Sequence, residues 1–263
     1  MIQWDPAFCA QIAEAGHYLV IFDNRDVGLS SHFSDAHVPS MAELVQALAK
    51  GEAPEVPYTL SDMAGDVVGL MDGLGFDSAH IAGISMGGMI VQQTAILYPD
   101  RVRSLTSIMS STSEPGLPTA TAEAQAALSE PPPREREAYI EYSVRTGRAF
   151  TGDGFPYEEA ARREVAARVF DRAFDPEGVA RQMAAVVASG SRREGLAALS
   201  TPALVIHGSS DPLIPLAAGE ATARAIPGAR LEIVQGMGHD LPRGTWEQVI
   251  GALAAHTSAA ESN

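Results

Sequence analysis

The chain has 263 residues, of which 18 are basic and 33 are acidic, so its formal net charge at pH 7 is −15. Hydrophobic residues make up 46% and charged residues 19%, which is typical of a folded protein and excludes a disordered or low-complexity chain. The acidic balance also excludes a partner whose phosphates must be neutralised, such as a nucleic acid or an anionic membrane. A single cysteine, Cys9, excludes an internal disulfide framework and a cysteine-based zinc site.

Metal sites and membrane segments are not expected from the pattern of residues. The seven histidines show no paired spacing that is typical of metal ligands, so we expect no metal and no cofactor. No stretch reaches about 18 apolar residues, which predicts no transmembrane helix and no membrane partner. The first residues contain neither a basic nor an apolar region, so the sequence as given predicts no signal peptide and a cytoplasmic location.

Strand-like and helix-like runs alternate along the first part of the chain. A helix is predicted over about residues 6–15, followed by the apolar run His17 to Asp23, which we interpret as a short buried strand. A second helix is predicted within residues 57–74, with Thr59 as its N-cap and Gly75 as its end. The next elements are predicted in the order strand, helix, strand, over residues 79–84, 86 to about 98, and 102–109.

A different pattern occupies residues 113–200. This block opens with Glu114-Pro115-Gly116, contains three consecutive prolines, and is otherwise helical in composition. Alternation then resumes with strand 203–207, helix 216–225, strand 230–234 and a last helix over about 245–256. Such alternation is typical of βα units and predicts an α/β protein with a mainly parallel sheet flanked by helices. We therefore expect a core from residues 1–112 and 201–263, with a helical cap, residues 113–200, inserted after the third strand present.

A G-x-S-x-G pattern lies between a predicted strand and a predicted helix. The apolar strand AHIAGI leads into Ser85, and the helix that begins with Met86 leads out of it. A nucleophilic serine in this setting sits on a tight turn, so the small residues Gly83 and Gly87 are expected to let the turn close. The N-terminus of the following helix favours negative charge, and the N–H of Met86 is a candidate oxyanion donor. The alternative is a glycine-rich turn with an incidental serine.

A serine hydroxyl requires a general base, and that base requires an orienting carboxylate. His239 lies in the glycine-rich loop Gly-Met-Gly-His after a predicted strand and is the candidate base, with a surface loop histidine as the alternative. Asp211 follows the strand ALVIHG, at the sheet edge where catalytic groups of open α/β sheets cluster. Its alternative role is to cap the next turn. Asp240 is too close to His239 in sequence to orient the imidazole ring easily.

These motifs together resemble the α/β-hydrolase superfamily, whose triads follow the same Ser, Asp, His order. The segment Asp23–Ser30 is similar to the D-x-R-G-x-G-x-S loop of that superfamily, with Asp26 in place of the usual glycine. The FDNRD loop, the F-D-P stretch at Phe174–Pro176 and the GMGH-x-LP stretch that ends at Pro242 resemble the aclacinomycin methylesterase-like carboxylesterases. This similarity extends over nearly all of the chain.

The resemblance implies Ser85 as nucleophile, His239 as base and Asp211 as the group that orients it. This is the assignment that the spacing gives independently. The resemblance also implies that the helical block covers the pocket for the acyl or alcohol part of a substrate.

The resemblance also implies three strands before the first predicted helix, and the sequence as given shows none of them. They amount to about 30 residues. The loop after the third strand supplies a second oxyanion donor in the family, and Met1–Trp4 resembles the tail of that loop. A gene model begun at an internal Met, a shortened chain, or a sheet closed differently are the three explanations. Loss of one oxyanion donor typically costs about 10²–10³ in turnover, which predicts a weak esterase.

In the family the third of these strands lies between the counterparts of residues 17–23 and 79–84. A folded chain would therefore repair the gap either by direct pairing of these two segments or by a strand exchanged across a homodimer.

The pattern favours a serine hydrolase that cleaves carboxylic esters of small to medium apolar substrates through an acyl-enzyme. A lactone or C–C bond hydrolase, a perhydrolase or an iminopeptidase would use the same triad and stay open as alternatives. An epoxide hydrolase or a haloalkane dehalogenase is disfavoured because each needs a carboxylate where Ser85 stands. A truncated, weakly active or non-catalytic chain is the third hypothesis. The expected partner is a small-molecule ester, and the oligomeric state stays open.

Overall fold

Four parallel strands lie at the centre of the computed structural model, which describes residues 1–262. They are β1 (Ala79–Ile84), β2 (Val102–Ile108), β3 (Ala203–Gly208) and β4 (Arg230–Val234), and they are adjacent in chain order. All three neighbouring pairs are parallel, so the carboxyl ends of the four strands meet at one edge of the sheet. The prediction of an α/β protein with a mainly parallel sheet is confirmed.

Helices connect the strands and cover both faces of the sheet. The α-helices among the described residues are α1 (Pro6–Glu14), α2 (Met41–Ala49), α3 (Leu60–Leu74), α4 (Met86–Leu97), α5 (Ala122–Ser129), α6 (Arg136–Arg148), α7 (Glu159–Arg172), α8 (Pro176–Ser189), α9 (Arg193–Ala197), α10 (Leu216–Ala225) and α11 (Trp246–Glu261).

Two apolar clusters form the core, one on each face of the sheet. Ala203 belongs to the cluster that contains α3 and α4, whereas its neighbour Leu204 belongs to the cluster that contains α1 and α11. Successive side chains of a strand point to opposite faces, so this division shows that β3 is buried on both sides. Strands of this kind are nearly continuous apolar runs, as residues 203–206 of β3 are.

The ends of α3 follow the prediction. Thr59 and Asp62 form a capping box, in which the Asp62 carboxylate accepts from the Thr59 N–H at 2.8 Å. Gly75 closes the helix in the left-handed conformation, with φ +76°. Helix α2 was not predicted, although Ser40 and Glu43 form a second capping box at its start. The S-x-x-E spacing at 40–43 was the signal that could have revealed it.

The interpretation of residues 17–23 as a buried strand is wrong. The segment belongs to none of the four strands, and Tyr18 is 87% exposed while Leu19 to Phe22 are each 37–38% exposed. An apolar run becomes a strand only when a neighbour pairs with its backbone, and the described residues place no strand beside it. Direct pairing with β1 is likewise not found, and β1 is an edge strand of the described sheet.

The helical block therefore follows the second strand rather than the third. Helices α5 to α9 all lie between β2 and β3, within residues 113–200, and this block is called the insertion below. Its separation from the core as a cap domain stays a prediction. Within residues 1–262, no helix combines the length and the apolar character that crossing a membrane requires.

Candidate active site

Ser85 occupies the sharp turn between β1 and α4. Its backbone lies in the left-handed region, with φ +54° and ψ −117°, a conformation that costs a non-glycine residue about 1–3 kcal/mol. The turn is held by the end of β2, because the Ser85 N–H donates to the Ile108 carbonyl at 2.9 Å. The Ser110 hydroxyl donates to the Ser85 carbonyl at 2.8 Å. The strained turn thus places Ser85 at the carboxyl edge of the sheet.

The two glycines of the motif have different importance for this turn. A Cβ at Gly83 would lie 2.1 Å from the Gly87 carbonyl oxygen, so a side chain there is incompatible with the turn. A Cβ at Gly87 would meet no heavy atom within 4 Å, so the expectation that Gly87 lets the turn close is wrong on steric grounds. The tight position is instead Gly88, where a Cβ would lie 2.5 Å from the Ser110 Cβ.

The structure brings the three predicted catalytic side chains together. His239 Nε2 lies 2.9 Å from Ser85 Oγ, and His239 Nδ1 lies 2.8 Å from Asp211 Oδ2. Asp211 follows β3 and His239 follows β4, so the sheet edge joins residues that are far apart in sequence. The Asp211 side chain is fully buried, and that of His239 is 9% exposed. The arrangement can pass a proton from the serine hydroxyl to an oriented imidazole.

Asp211 also fills the alternative role that the sequence left open. Its second oxygen, Oδ1, accepts from the N–H groups of Leu213 at 2.9 Å and Ile214 at 2.8 Å. Capping the turn and binding the imidazole therefore use different oxygens of one carboxylate. The turn fixes the carboxylate so that Oδ2 points at His239.

A second histidine lies behind the carboxylate and was missed in the sequence. His207, fully buried in β3, has Nε2 2.7 Å from the Ile214 carbonyl and 3.6 Å from Asp211 Oδ2. Burial lowers the pKa of His207, which keeps its ring neutral and leaves His239 as the histidine that shares a short hydrogen bond with Asp211. Its position before the predicted acid, in the stretch His-Gly-Ser-Ser-Asp, was the available signal.

As its position next to His239 predicts, Asp240 does not orient the imidazole ring. The Nδ1 partner of His239 is Asp211, and burial raises the pKa of Asp240. One oxygen of Asp240, Oδ1, is buried without a hydrogen-bond partner. The carboxyl group of Asp240 is therefore a buried neighbour of the site and takes no part in the hydrogen bonds that join Ser85, His239 and Asp211.

Met86 is the first residue of α4, directly after Ser85. The first N–H groups of a helix have no acceptor within the helix, and the helix dipole makes this end favourable for negative charge. The geometry therefore suits the Met86 N–H as a donor to an oxygen that becomes negative beside Ser85.

The loop around Asp26 is joined to the insertion by a buried ion pair. Asp26 is fully buried with φ +67°, and its carboxylate binds Arg181 of α8 through bonds of 2.8 and 2.9 Å. It also accepts from the Tyr58 hydroxyl at 2.6 Å and from the Phe33 N–H at 2.7 Å. A glycine suits the backbone angle here, but only the aspartate supplies a counter-charge for a buried arginine. This explains the departure from the glycine of the superfamily loop.

Five of the seven aromatic side chains of the insertion pack in two different places. Four rings pack on one another with centroid separations of 4.7 to 6.2 Å, and these belong to Tyr139, Tyr142, Phe170 and Phe174. Phe155 packs elsewhere, against the core cluster that contains α1 and α11. The four rings therefore form an apolar centre for the insertion itself.

Comparison with known proteins places these observations in a family. Residues 3–242 match the alpha/beta hydrolase fold family. Rhodomycin D methylesterase of Streptomyces peucetius is 29% identical over 279 residues, covering 98% of this chain and 87% of that protein. A putative carbamate hydrolase of Variovorax paradoxus is 27% identical, covering 90% of this chain and 79% of that protein.

Solved structures show the same architecture. The enol-lactonase of Burkholderia xenovorans LB400 superposes with a TM-score of 0.66 at 24% identity, covering 100% of this chain and 89% of that one. An esterase of Thermogutta terrifontis superposes with a TM-score of 0.64 at 24% identity, covering 90% of this chain and 78% of that one. These likenesses show the fold.

Proposed function

The chain belongs to the alpha/beta hydrolase family, and we propose that it is a serine hydrolase acting on carboxylic esters of small to medium apolar substrates. The observation that carries the proposal is the continuous hydrogen-bonded series from Ser85 through His239 to Asp211, with separations of 2.9 and 2.8 Å. Similarity to rhodomycin D methylesterases over 98% of the chain supports an ester as the substrate.

In the first half of the reaction, Ser85 Oγ attacks the carbonyl carbon of the ester while His239 Nε2 accepts the hydroxyl proton. Asp211 stabilises the imidazolium and holds Nδ1 in the protonated tautomer. The Met86 N–H donates to the oxyanion of the tetrahedral intermediate. When the intermediate collapses, the bond to the alcohol oxygen breaks, and His239 returns the proton to the departing alkoxide. The products are an acyl-enzyme on Ser85 and a free alcohol.

In the second half, water replaces the alcohol. His239 removes a proton from the water as its oxygen attacks the acyl carbon, and a second tetrahedral intermediate forms on Ser85. Its collapse breaks the bond to Ser85 Oγ, which regains its proton from His239. The carboxylic acid leaves, and the triad returns to its starting state.

Other bonds are compatible with the same chemistry. A lactone is a cyclic ester, and a carbamate or an activated C–C bond also presents a carbonyl to Ser85. A panel of linear esters, lactones, carbamates and amino-acyl anilides, compared by kcat/KM, separates these substrates. The proposal expects the highest value for a linear ester with an apolar acyl or alcohol part. A cytoplasmic location, a small-molecule ester as the partner and the insertion as a cap over the pocket stay predictions.

The direct test is hydrolysis of p-nitrophenyl butyrate by the Ser85→Ala variant. Removing the nucleophile is expected to lower kcat by at least about 10³-fold while the far-UV circular dichroism stays unchanged. The matched control is Ser61→Ala on the exposed face of α3, which is expected to keep wild-type turnover. Turnover by Ser85→Ala equal to that of the control would contradict the proposal.

A further inference from the structure

Residues 150–155 of the insertion, called the insertion loop here, lie directly against the loops that carry the base and the acid. The backbone N–H of His239 donates to the Phe150 carbonyl at 2.7 Å, and the Gly154 N–H donates to the Gly236 carbonyl at 3.0 Å. On the acid side, the Ser210 hydroxyl donates to Asp153 Oδ1 at 2.5 Å. The insertion loop thus bonds to the residue that carries the imidazole and to the residue before the catalytic carboxylate.

Four glycines make this approach possible. A Cβ at Gly152 would lie 2.3 Å from the Gly236 carbonyl oxygen, and one at Gly154 would lie 2.5 Å from the Gly236 Cα. From the other side, a Cβ at Gly238 would lie 2.1 Å from the Gly152 nitrogen, and one at Gly236 would lie 2.4 Å from the Gly154 Cα. All of these neighbours are backbone atoms, which have little freedom to move aside. The two loops are therefore built to meet backbone against backbone.

The loop that carries the base contains two glycines, and its backbone is held in part by the loop that carries the acid, since the Ser210 N–H donates to the Met237 carbonyl at 3.1 Å. Gly236, with φ +74°, and Gly238 precede His239, and glycine has the greatest backbone freedom of any residue. A catalytic imidazole must be held close to its productive position, because a misplacement of about 1 Å can cost about 10²-fold in rate. The same glycines admit the insertion loop, whose hydrogen bond from the Phe150 carbonyl to the His239 N–H restrains the residue that carries the imidazole.

We propose that the insertion loop is a fixed part of the catalytic framework, in which Gly152 and Gly154 are positioning residues that hold the backbone of His239. This inference rests on the proposed function for its kinetic consequences, though not for its structural ones. Under this arrangement the insertion does not leave this edge of the site during turnover. A lid that opened here would break the hydrogen bond from His239 to Phe150 in every cycle.

The first test compares Gly152→Ala with the matched control Gly251→Ala, whose Cβ would meet no heavy atom within 4 Å. Gly152→Ala is expected to lower kcat on p-nitrophenyl butyrate by about 10²-fold with KM changed little. Loss of kcat without loss of substrate affinity is the result of a misplaced imidazole, whereas a general loss of folded protein would lower the amount of active enzyme and leave kcat per folded chain unchanged. Unchanged kcat in a folded Gly152→Ala variant would overturn the proposal.

A second measurement does not depend on Gly152→Ala folding well. A disulfide between positions 153 and 210, from Asp153→Cys with Ser210→Cys, fixes the insertion loop to the acid side, and reduction gives the same protein without the link. The proposal expects the oxidised form to be at least as active as the reduced form. Loss of activity on oxidation that returns on reduction would show an opening lid and overturn it.

The histidine NMR spectrum separates the two proposals. The Nδ1–H resonance of His239 is expected to report the bond to Asp211 in the wild-type chain and to change in Gly152→Ala. An inactive wild-type chain in which this change is still seen would remove the proposed function and leave the positioning role intact. If the wild-type chain is active and the resonance is the same in Gly152→Ala, the positioning role is removed and the proposed function stays intact.

Discussion

Replacement of Asp26 by asparagine tests whether the buried ion pair with Arg181 stabilises the fold. Asp26 is fully buried and Arg181 is 2% exposed, so the charges are out of contact with water. Asparagine has nearly the same volume and tolerates the left-handed φ of +67°, so the substitution removes the charge and leaves the backbone in place. The introduced side-chain amide also presents a donor where the carboxylate accepted from Tyr58 or Arg181.

The expected loss is set by the arginine that is left behind. Breaking a buried ion pair by removing one partner typically costs about 3–5 kcal/mol. Asp175, 3.6 Å from Arg181, still balances part of the positive charge in the variant. The expected loss of stability is therefore at the lower end of that range, about 3 kcal/mol. For a chain of this size the melting temperature falls by about 2–4 °C per kcal/mol, which predicts a decrease of about 6–12 °C.

The effect has a defined pH dependence. Burial alone would raise the pKa of Asp26, but hydrogen bonds from Arg181, Tyr58 and Phe33 outweigh it and hold the pKa below its ordinary value. A lowered pKa in the folded state contributes stability above the unfolded pKa of about 3.9, and this contribution is lost as the pH falls through the folded value. The difference in the free energy of unfolding between wild type and Asp26→Asn is therefore expected to be fully present at pH 7 and to shrink in acid.

Thermal and urea unfolding, followed by circular dichroism, measure this difference. Arg181→Met and the double variant complete a cycle, in which the double variant is expected to be more stable than the sum of the single changes predicts. Asp26→Gly removes the backbone strain together with the charge, and it is also expected to destabilise. If Asp26→Asn lowers the free energy of unfolding at pH 7 by less than about 1 kcal/mol, or if Asp26→Gly is more stable than wild type, the ion pair with Arg181 does not stabilise the fold.

Three further predictions concern the turn at Ser85, the triad and the loop next to the insertion. Gly83→Ala is expected to abolish turnover or prevent folding, whereas Gly87→Ala should yield a folded chain, which circular dichroism and turnover together would show. Asp211→Asn should lower kcat by about 10³–10⁴-fold with little change in melting temperature, because the amide oxygen still accepts from Leu213 and Ile214 while the imidazole loses its anionic partner. His32→Gln should remove a pH dependence of stability, since the 2.6 Å hydrogen bond with Asp175 raises the pKa of His32. That contribution is present below about pH 6.5 and is lost as the pH rises through the raised pKa, so the melting temperatures of wild type and variant should converge at alkaline pH.

The elements that the sequence predicted well are those whose residues specify them locally. Strands β1 and β3 are short, largely apolar runs that end in turn residues, and α3 carries its own capping box and terminal glycine. The triad was predictable because each member follows a strand, and parallel strands bring their carboxyl ends to one edge. Residues 17–23 failed because an apolar run does not reveal whether a neighbouring strand pairs with it.

Contacts between distant segments were not predictable from local pattern. The tight position in the turn is Gly88 rather than Gly87, and this depends on Ser110 at the end of another strand. The approach of Gly152 to Gly236 joins the insertion to the loop that carries His239, and the sequence of neither segment indicates this contact. The pairing of Asp26 with Arg181 spans 155 residues. In each case the sequence shows the residue type, and only the fold supplies its partner.

Covalent labelling with a fluorophosphonate tests the role of Ser85 as a nucleophile activated by His239. This role predicts one adduct per chain, located on Ser85 by peptide mass spectrometry, formed slowly in Asp211→Asn and absent from Ser85→Ala. An unlabelled wild-type chain, or an adduct on another serine that persists in Ser85→Ala, would contradict it.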